Sequence, residues 1–142
     1  MSSDPVGTLV LGSNILEPLF LKHGFVYRAL DAGSSSGGQF ASGEFRKDNR
    51  WLEFHFRYSL GMVTYHLGSR SMSHQEYMRS VLGRPNASHY PGFSSDPLEA
   101  FRHLYLDLEE HCAEFLEGTD DCLLHRIEDA QARRSDRLTL PE

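Results

Sequence analysis

Apolar and polar residues alternate strictly between residues 51 and 58. Successive side chains of a β-strand point to opposite faces of the sheet, so this alternation separates an apolar face from a polar one. The apolar set is Leu52, Phe54, Phe56 and Tyr58, and the other set is Trp51, Glu53, His55 and Arg57. The alternation resumes in 62–67, with Val63, Tyr65 and Leu67 in step. The pattern predicts two amphipathic strands, 51–58 and 62–67.

The turn between these strands would set their register. A turn centred on Leu60 and Gly61 places apolar residues opposite apolar ones and polar residues opposite polar ones, whereas a slip of one residue would reverse every face. The predicted pairs are Tyr58 with Val63, Phe56 with Tyr65, Phe54 with Leu67, Arg57 with Thr64 and His55 with His66. We therefore expect the two histidines to be direct neighbours on the polar face.

A second hairpin precedes this one. Asp48 and Asn49 are typical turn residues, and a turn centred on them pairs 40–46 with 51–58. The resulting pairs are Phe45 with Leu52, Glu44 with Glu53 and Ser42 with His55. Both hairpins place the apolar residues on the same side, and a strand at 25–30 would complete a four-stranded antiparallel meander.

Capping signals predict the helices around this sheet. Asn14 and Glu17 have capping-box spacing, Pro18 falls in the first turn, and Gly24 is the predicted stop of this N-terminal helix. Ser73 and Glu76 repeat the signal for a short helix that runs through Leu82 and ends at Gly83.

Two further helices are expected towards the C-terminus. Asp96, Pro97 and Glu99 mark the start of a helix that should run to Glu117 and lay its apolar stripe across the core face of the sheet. Another helix should begin near Asp120. The chain is thus predicted to be one α+β domain, 1–142, with two layers and all helices packed on one face of the sheet. The segments 1–12 and 134–142 are predicted to be flexible ends.

Composition narrows the functional class. The 142 residues are 39% hydrophobic and 24% charged, without an apolar run that could span a bilayer or a basic signal-peptide start, so we expect a cytoplasmic protein with no membrane contact. The net charge of -6 weighs against nucleic acid and favours a partner protein with a basic surface. Cys112 and Cys122 are expected to be buried free thiols.

The polar face of the sheet holds the main candidate site. It collects Ser42, Glu44, Glu53, His55, Arg57, Thr64 and His66, flanked by Arg46 and Trp51. Glu44 opposite Glu53 would repel unless a diagonal arginine such as Arg46, a metal ion or a basic partner neutralises the pair.

The segment 83–95 is a second candidate contact surface. It is rich in aromatic and basic residues yet broken by prolines and glycines, and loops of this kind often carry function: Arg84, His89, Tyr90 and Phe93. The alternative is that Tyr90 and Phe93 tuck under the loop and close the core.

Metal chemistry is the competing interpretation of the polar residues. His55, His66, Glu44 and Glu53 could ligate a zinc-like ion or act as acid and base, although parallel side chains on a flat sheet do not converge easily. His103, Asp107 and His111 share one helix face, but this spacing recurs by chance. The other histidines, among them His74, are explained by helix capping or solvent. No nucleophile motif is present in the sequence.

These observations predict a small protein-binding module without catalytic activity and without a cofactor. Its contact surface would combine Glu44, Trp51, Glu53, His55, Arg57 and His66 with Arg84, His89, Tyr90 and Phe93. Immunity or antitoxin-like proteins are the class that the size and acidity favour. The alternatives are a metal-dependent enzyme or metal-binding protein, and a homodimer formed through the polar face.

Overall fold

The chain folds as an antiparallel sheet with helices before and after it in sequence. A computed structural model describes residues 5–35, 38–56, 60–83 and 98–138. The elements are α1 (Pro5–Lys22), β1 (Val26–Ser35), β2 (Gly38–Lys47), β3 (Arg50–Phe56), β4 (Leu60–Leu67), β5 (Arg70–Ser73), α2 (His74–Leu82), α3 (Glu99–His111), α4 (Ala113–Glu117) and α5 (Asp120–Leu138). The strands follow one another in the order β1-β2-β3-β4-β5. The predicted α+β class is confirmed, with five strands instead of four.

The fifth strand was missed because it is short and weakly patterned. β5 has four residues, of which Met72 alone is buried. A tight turn at Gly68, whose φ of 59° favours glycine, returns the chain beside β4. The amide of Gly68 also donates to the carbonyl of Asn49 at 2.8 Å, which ties this turn to the turn between β2 and β3.

The hairpin of β2 and β3 has the predicted register. Phe45 lies opposite Leu52, Glu44 opposite Glu53, and Ser42 opposite His55. Asp48 has a φ of 54°, the left-handed conformation that two-residue hairpin turns require at this position.

The register predicted between β3 and β4 is wrong by four residues. Trp51 rather than His55 lies opposite His66, and Leu52 rather than Phe56 lies opposite Tyr65. Leu60 and Gly61 belong to β4 instead of forming the turn, and 57–59 lie outside the described residues. Because the shift is an even number of residues, the described side chains of both strands keep their predicted faces.

The predicted apolar face forms the core together with the helices. Phe54 and Phe56 are at most 1% exposed, and both pack against the ring of Phe101 in α3. Tyr65 meets the ring of Phe115 in α4 at a centroid distance of 4.9 Å. The prediction that the C-terminal helices lie across the sheet is confirmed.

Helix α1 begins earlier than capping signals predicted. It starts at Pro5, so Asn14 is an exposed residue inside the helix rather than its N-cap, and Pro18 is also internal. Leu9 is buried on the same helix face as Leu16, which explains why the helix extends upstream. Although α1 is rich in apolar residues, no helix in the described ranges combines the length and apolarity needed to cross a bilayer.

The C-terminal helices differ from prediction in their start and in one interruption. α3 begins at Glu99 with Leu98 as its N-cap, and the predicted start at Asp96 and Pro97 lies outside the described residues. The expected helix to Glu117 is interrupted at Cys112, whose φ of -111° and ψ of 30° leave the helical region. The predicted capping box of α2 is present, since Ser73 and Glu76 bond each other's backbone amides. The start of α5 at Asp120 is also confirmed. Cys112 is buried as expected, but Cys122 is exposed because it lies in the first turn of α5, away from the core.

Candidate binding face of the sheet

The side of the sheet opposite the helices carries the predicted polar residues. We call this side the outer face, and its members are Arg28, Ser42, Glu44, Arg46, Trp51, Glu53, His55, Thr64 and His66. Strand pairing aligns one row across all five strands, namely Val26, Arg46, Trp51, His66 and Ser71. A second row consists of Arg28, Glu44, Glu53, Thr64 and Ser73.

Trp51 is held between two neighbours on the outer face. The guanidinium carbon of Arg46 lies 4.0 Å from the indole centroid. The imidazole of His66 stacks on the indole at 4.6 Å with an interplanar angle of 5°. Since Arg46 and His66 come from the strands on either side of β3, the two contacts fix the indole from both sides. Arginine over an aromatic ring is a stabilising cation–π arrangement.

Glu53 joins the two histidines that were predicted to share this face. Its Oε2 atom lies 2.8 Å from Nε2 of His55, and its Oε1 atom lies 3.0 Å from Nε2 of His66. An ionised carboxylate can only accept hydrogen bonds, so each imidazole donates its Nε2 proton. The carboxylate therefore fixes the orientation of both rings, and through His66 it supports the stack on Trp51.

Glu44 is neutralised within the protein itself. Its Oε2 atom lies 3.0 Å from Nε of Arg46 and 3.2 Å from a terminal nitrogen of Arg28. The Glu44 side chain is only 3% exposed, whereas Arg28 is 66% exposed and Arg46 40%. Of the three neutralisers considered from the sequence, the structure shows the arginine, and it adds Arg28 as a second one. Glu44 thus lies beneath the arginines rather than at the surface.

The described residues of the outer face do not assemble a metal centre. Across the described part of the chain, no group of three or more histidine, cysteine, aspartate or glutamate side chains is placed to hold a metal ion. The carboxylate of Glu44 turns to the two arginines, while that of Glu53 turns to the two imidazoles. The four proposed ligands therefore form two separate groups.

Part of the predicted contact surface lies outside the described residues. Those members are Arg57, Arg84, His89, Tyr90 and Phe93. The contact role of the segment 83–95 and its alternative role of closing the core both stay predictions.

His74 was assigned to capping or solvent from the sequence, and this is wrong. Its side chain is 1% exposed and lies between β4 and α3. Nδ1 is 2.7 Å from the hydroxyl of Tyr65, and Nε2 is 2.8 Å from Oδ2 of Asp107. The Tyr65 hydroxyl also lies 3.7 Å from Sγ of Cys112. His74 directly follows the N-cap of α2, and its contacts with β4 and α3 could not be read from local sequence.

Burial favours the protonated forms of two groups in this network. Burial raises the pKa of the Cys112 thiol well above its ordinary value, so the nucleophilic thiolate is strongly disfavoured. Burial likewise raises the pKa of Tyr65. Asp107, proposed as a ligand together with His103 and His111, is buried in this network and bonded to His74.

Comparison with protein-family models, with curated proteins and with solved structures found no match.

Proposed function

We propose that the protein is a binding module without catalytic activity, and that it engages a partner protein through the outer face. The observation that supports this proposal most directly is the position of Trp51 between Arg46 and His66 on a half-exposed part of the sheet. Tryptophan and arginine are enriched among the residues that dominate binding energy at protein interfaces.

The stacked arrangement would lower the entropic cost of binding. A side chain that is ordered only in the complex loses rotamer freedom, at a cost of about 0.5–1.5 kcal/mol. Trp51 is already ordered by its two ring contacts, and His66 is ordered by the carboxylate of Glu53. The outer face is thus preorganised for contact with a partner.

The net charge of the whole chain, rather than the local charge of the outer face, favours a partner with a basic surface. Residues 98–142 contain twelve acidic and five basic residues, whereas residues 1–97 contain eight and nine. The acidic excess of the chain therefore belongs to the C-terminal helical segment, and the sheet segment is nearly balanced. In this proposal the overall charge of -6 attracts the partner at long range, and the contacts around Trp51 give the affinity. The size and acidity of the chain fit the immunity or antitoxin-like class of binding proteins.

Affinity capture with matched variants tests the proposal. The immobilised protein, Trp51→Ala and Leu106→Ala are incubated with lysate, and bound proteins are identified. Leu106 is 36% exposed on α3, so its variant controls for loss of an exposed apolar side chain elsewhere. We expect the unmodified chain and Leu106→Ala to capture the same basic protein. Trp51→Ala should not retain it. Calorimetry with the purified partner should show an affinity loss of about 2 kcal/mol or more for Trp51→Ala.

Two results would contradict the proposal. Equal affinity of Trp51→Ala and the unmodified chain for the purified partner would place the interface elsewhere. Sedimentation tests the remaining alternative, because self-association that Trp51→Ala abolishes would make the outer face a homodimer interface. Thermal unfolding of each variant confirms that any loss of binding is not a loss of fold.

A further inference from the structure

Exposed apolar side chains concentrate on α1 and β1. Among the described residues, six large hydrophobic side chains are markedly exposed, and five of them belong to these two elements: Val10, Leu11, Leu21, Val26 and Leu30. α1 packs on the core side of β1 and β2, and a short connection joins α1 to β1. The exposed apolar residues therefore lie along one edge of the two-layer fold.

β1 is also the longer of the two edge strands. It has ten residues, and no described strand pairs with its second edge. The opposite edge strand, β5, has four residues, and Gln131 of α5 donates its side-chain amide to the carbonyl of Ser71 there. A long edge strand with unpaired backbone groups is a template for pairing with another chain.

We infer that two copies of the chain pair through β1 in antiparallel orientation, which extends the sheet across a two-fold axis. The only charged side chains of β1 are Arg28 and Asp31, and they have opposite signs. If the axis passes between Ala29 and Leu30, Arg28 of each copy lies opposite Asp31 of the other. Self-pairing of identical surfaces around a two-fold axis is the commonest form of protein dimer.

The bulge in β1 supports this register. Arg28 pairs with Glu44 and Asp31 pairs with Ser42, and the irregularity between Ala29 and Asp31 places both charged side chains on the outer face. Without the extra residue, positions 28 and 31 would point to opposite faces. Charged residues on an edge strand discourage unspecific pairing, but here one antiparallel register brings opposite charges together on one face.

The exposed side of α1 is compatible with the same axis. Gly12 faces Phe101 of α3, and Ser13 lies beside the Tyr27 hydroxyl of β1. The side of α1 nearer β1 therefore contains Ser13. At 3.6 residues per turn, the same side also carries Val10, Glu17 and Leu21. An antiparallel pair of α1 helices centred between residues 15 and 16 sets Val10 opposite Leu21 of the other copy. The same centre sets Glu17 opposite Asn14, which avoids repulsion between like charges.

Ideal helix and strand geometry places the two centres at a similar height in the fold. The helix centre is about 10 Å from Lys22 at 1.5 Å per residue. The strand centre is about 12 Å from Val26 at 3.3–3.4 Å per residue. Since the chain reverses direction between these two residues, one axis passes near both centres. With strands about 4.8 Å apart, the axis between the two β1 strands lies about 4.8 Å from the groove between β1 and β2. A helix above that groove would therefore lie about 10 Å from the same helix of the other copy. This is the normal packing distance of helices.

Sedimentation velocity over a range of protein concentrations tests the dimer. The unmodified chain should sediment as a dimer that dissociates on dilution. Asp31→Lys faces Arg28 of the other copy, and Arg28→Asp faces Asp31, so each variant alone should dimerise about tenfold more weakly or worse. An equimolar mixture of the two variants restores both attractive pairs and should dimerise. Glu109→Lys makes the same acidic-to-basic change as Asp31→Lys, at an exposed position of α3, and should leave the dimer intact.

The outcomes also separate this interface from the stack around Trp51. A chain that is monomeric at every concentration, or a dimer that Asp31→Lys does not weaken, would overturn the inference. A second variant, Leu21→Lys, introduces a charge at a side chain of α1 that is 53% exposed. It should weaken the dimer without altering the fold. Trp51→Ala should leave the dimer unchanged, because the β1 edge and the stack around Trp51 are different surfaces.

Discussion

Nε2 of His74 lies 2.8 Å from Oδ2 of Asp107, and neither side chain is more than 1% exposed. With Asp107 ionised and His74 neutral, Nε2 of His74 donates to Asp107 and Nδ1 accepts the Tyr65 hydroxyl proton. One imidazole thus links α2 to both α3 and β4. Buried polar groups stabilise a single arrangement of the core when they are bonded and destabilise it when a partner is removed.

Replacement of His74 should therefore destabilise the protein strongly. His74→Ala removes the bonds to Tyr65 and Asp107, at a cost of about 1–3 kcal/mol for each buried group that loses a partner. Urea unfolding followed by circular dichroism measures this change. A double-mutant cycle of His74→Ala with Tyr65→Phe should give a coupling energy of about 0.5–3 kcal/mol. Glu109→Ala, at an exposed position of α3, is the control and should change stability by less than about 0.5 kcal/mol. A loss for His74→Ala as small as that of the control would contradict this account.

Arg50 should stabilise the contact between the β2–β3 turn and α4. Its NH1 nitrogen donates to the carbonyls of Glu114 and Phe115 at 3.3 and 2.9 Å, and its NH2 nitrogen donates to Asp120 at 2.6 Å. Hydrogen bonds made by a charged group contribute about 1.5–3 kcal/mol. Arg50→Ala should thus lower the free energy of unfolding by at least about 2 kcal/mol, as measured by urea titration.

Two further variants identify which contacts of Arg50 matter. Arg50→Lys should recover little stability, because an ammonium group lacks the forked geometry that reaches both carbonyls and the carboxylate. Asp120→Ala should cost less than about 1 kcal/mol, since the Asp120 side chain is 60% exposed and surface ion pairs contribute little. A loss in Asp120→Ala equal to that in Arg50→Ala would show that the ion pair, rather than the carbonyl contacts, holds the turn.

Gly12 should not tolerate a larger side chain. A methyl group at this position would overlap the ring of Phe101, which is fully buried. Alanine normally favours a helix over glycine by about 0.5–1 kcal/mol. Overpacking of a core, however, costs about 1–3 kcal/mol, so Gly12→Ala should lower the midpoint of thermal unfolding. Phe101→Leu in the same chain should make the substitution less costly. A higher unfolding midpoint for Gly12→Ala alone would show that α1 and α3 can move apart without a loss of stability.

The protein should lose stability as the pH rises above about 9. Burial raises the pKa of Cys112 from an ordinary value of 9.0, and it raises those of Tyr65 and Tyr77 from 10.0. Above these ordinary values the unfolded chain releases protons that the folded chain retains, so the unfolded state binds fewer protons and the free energy of unfolding falls. Each group contributes a slope of at most about 1.4 kcal/mol per pH unit.

Denaturant titrations from pH 7 to 11 measure this slope. Cys112→Ala should delay the onset, because the group with the lowest ordinary pKa is removed, although the variant starts from a lower stability. Cys122→Ala should leave the onset unchanged, since Cys122 is exposed. A stability that stays constant to pH 11 would contradict the assigned burial of the three groups.

The faces of the sheet were predictable because side-chain direction in a strand depends only on residue parity. The register of β3 with β4 was not, because it depends on where the chain turns, and the connection at 57–59 carries weaker turn chemistry than Asp48 and Asn49. An error of four residues leaves the two faces unchanged. It alters each direct neighbour, however, and so the stack of Trp51 on His66 was not foreseen.

The sequence by itself determined the α+β class, the hairpin at Asp48 and Asn49, the capping box of α2 and the division of the sheet into an apolar and a polar face. These features depend on residues close together in the chain. Only the tertiary structure decided that Glu44 is neutralised by Arg28 and that His74 is buried against Asp107, 33 residues away. Such contacts form between elements that pack together, and their geometry depends on how the helices lie on the sheet rather than on any local pattern.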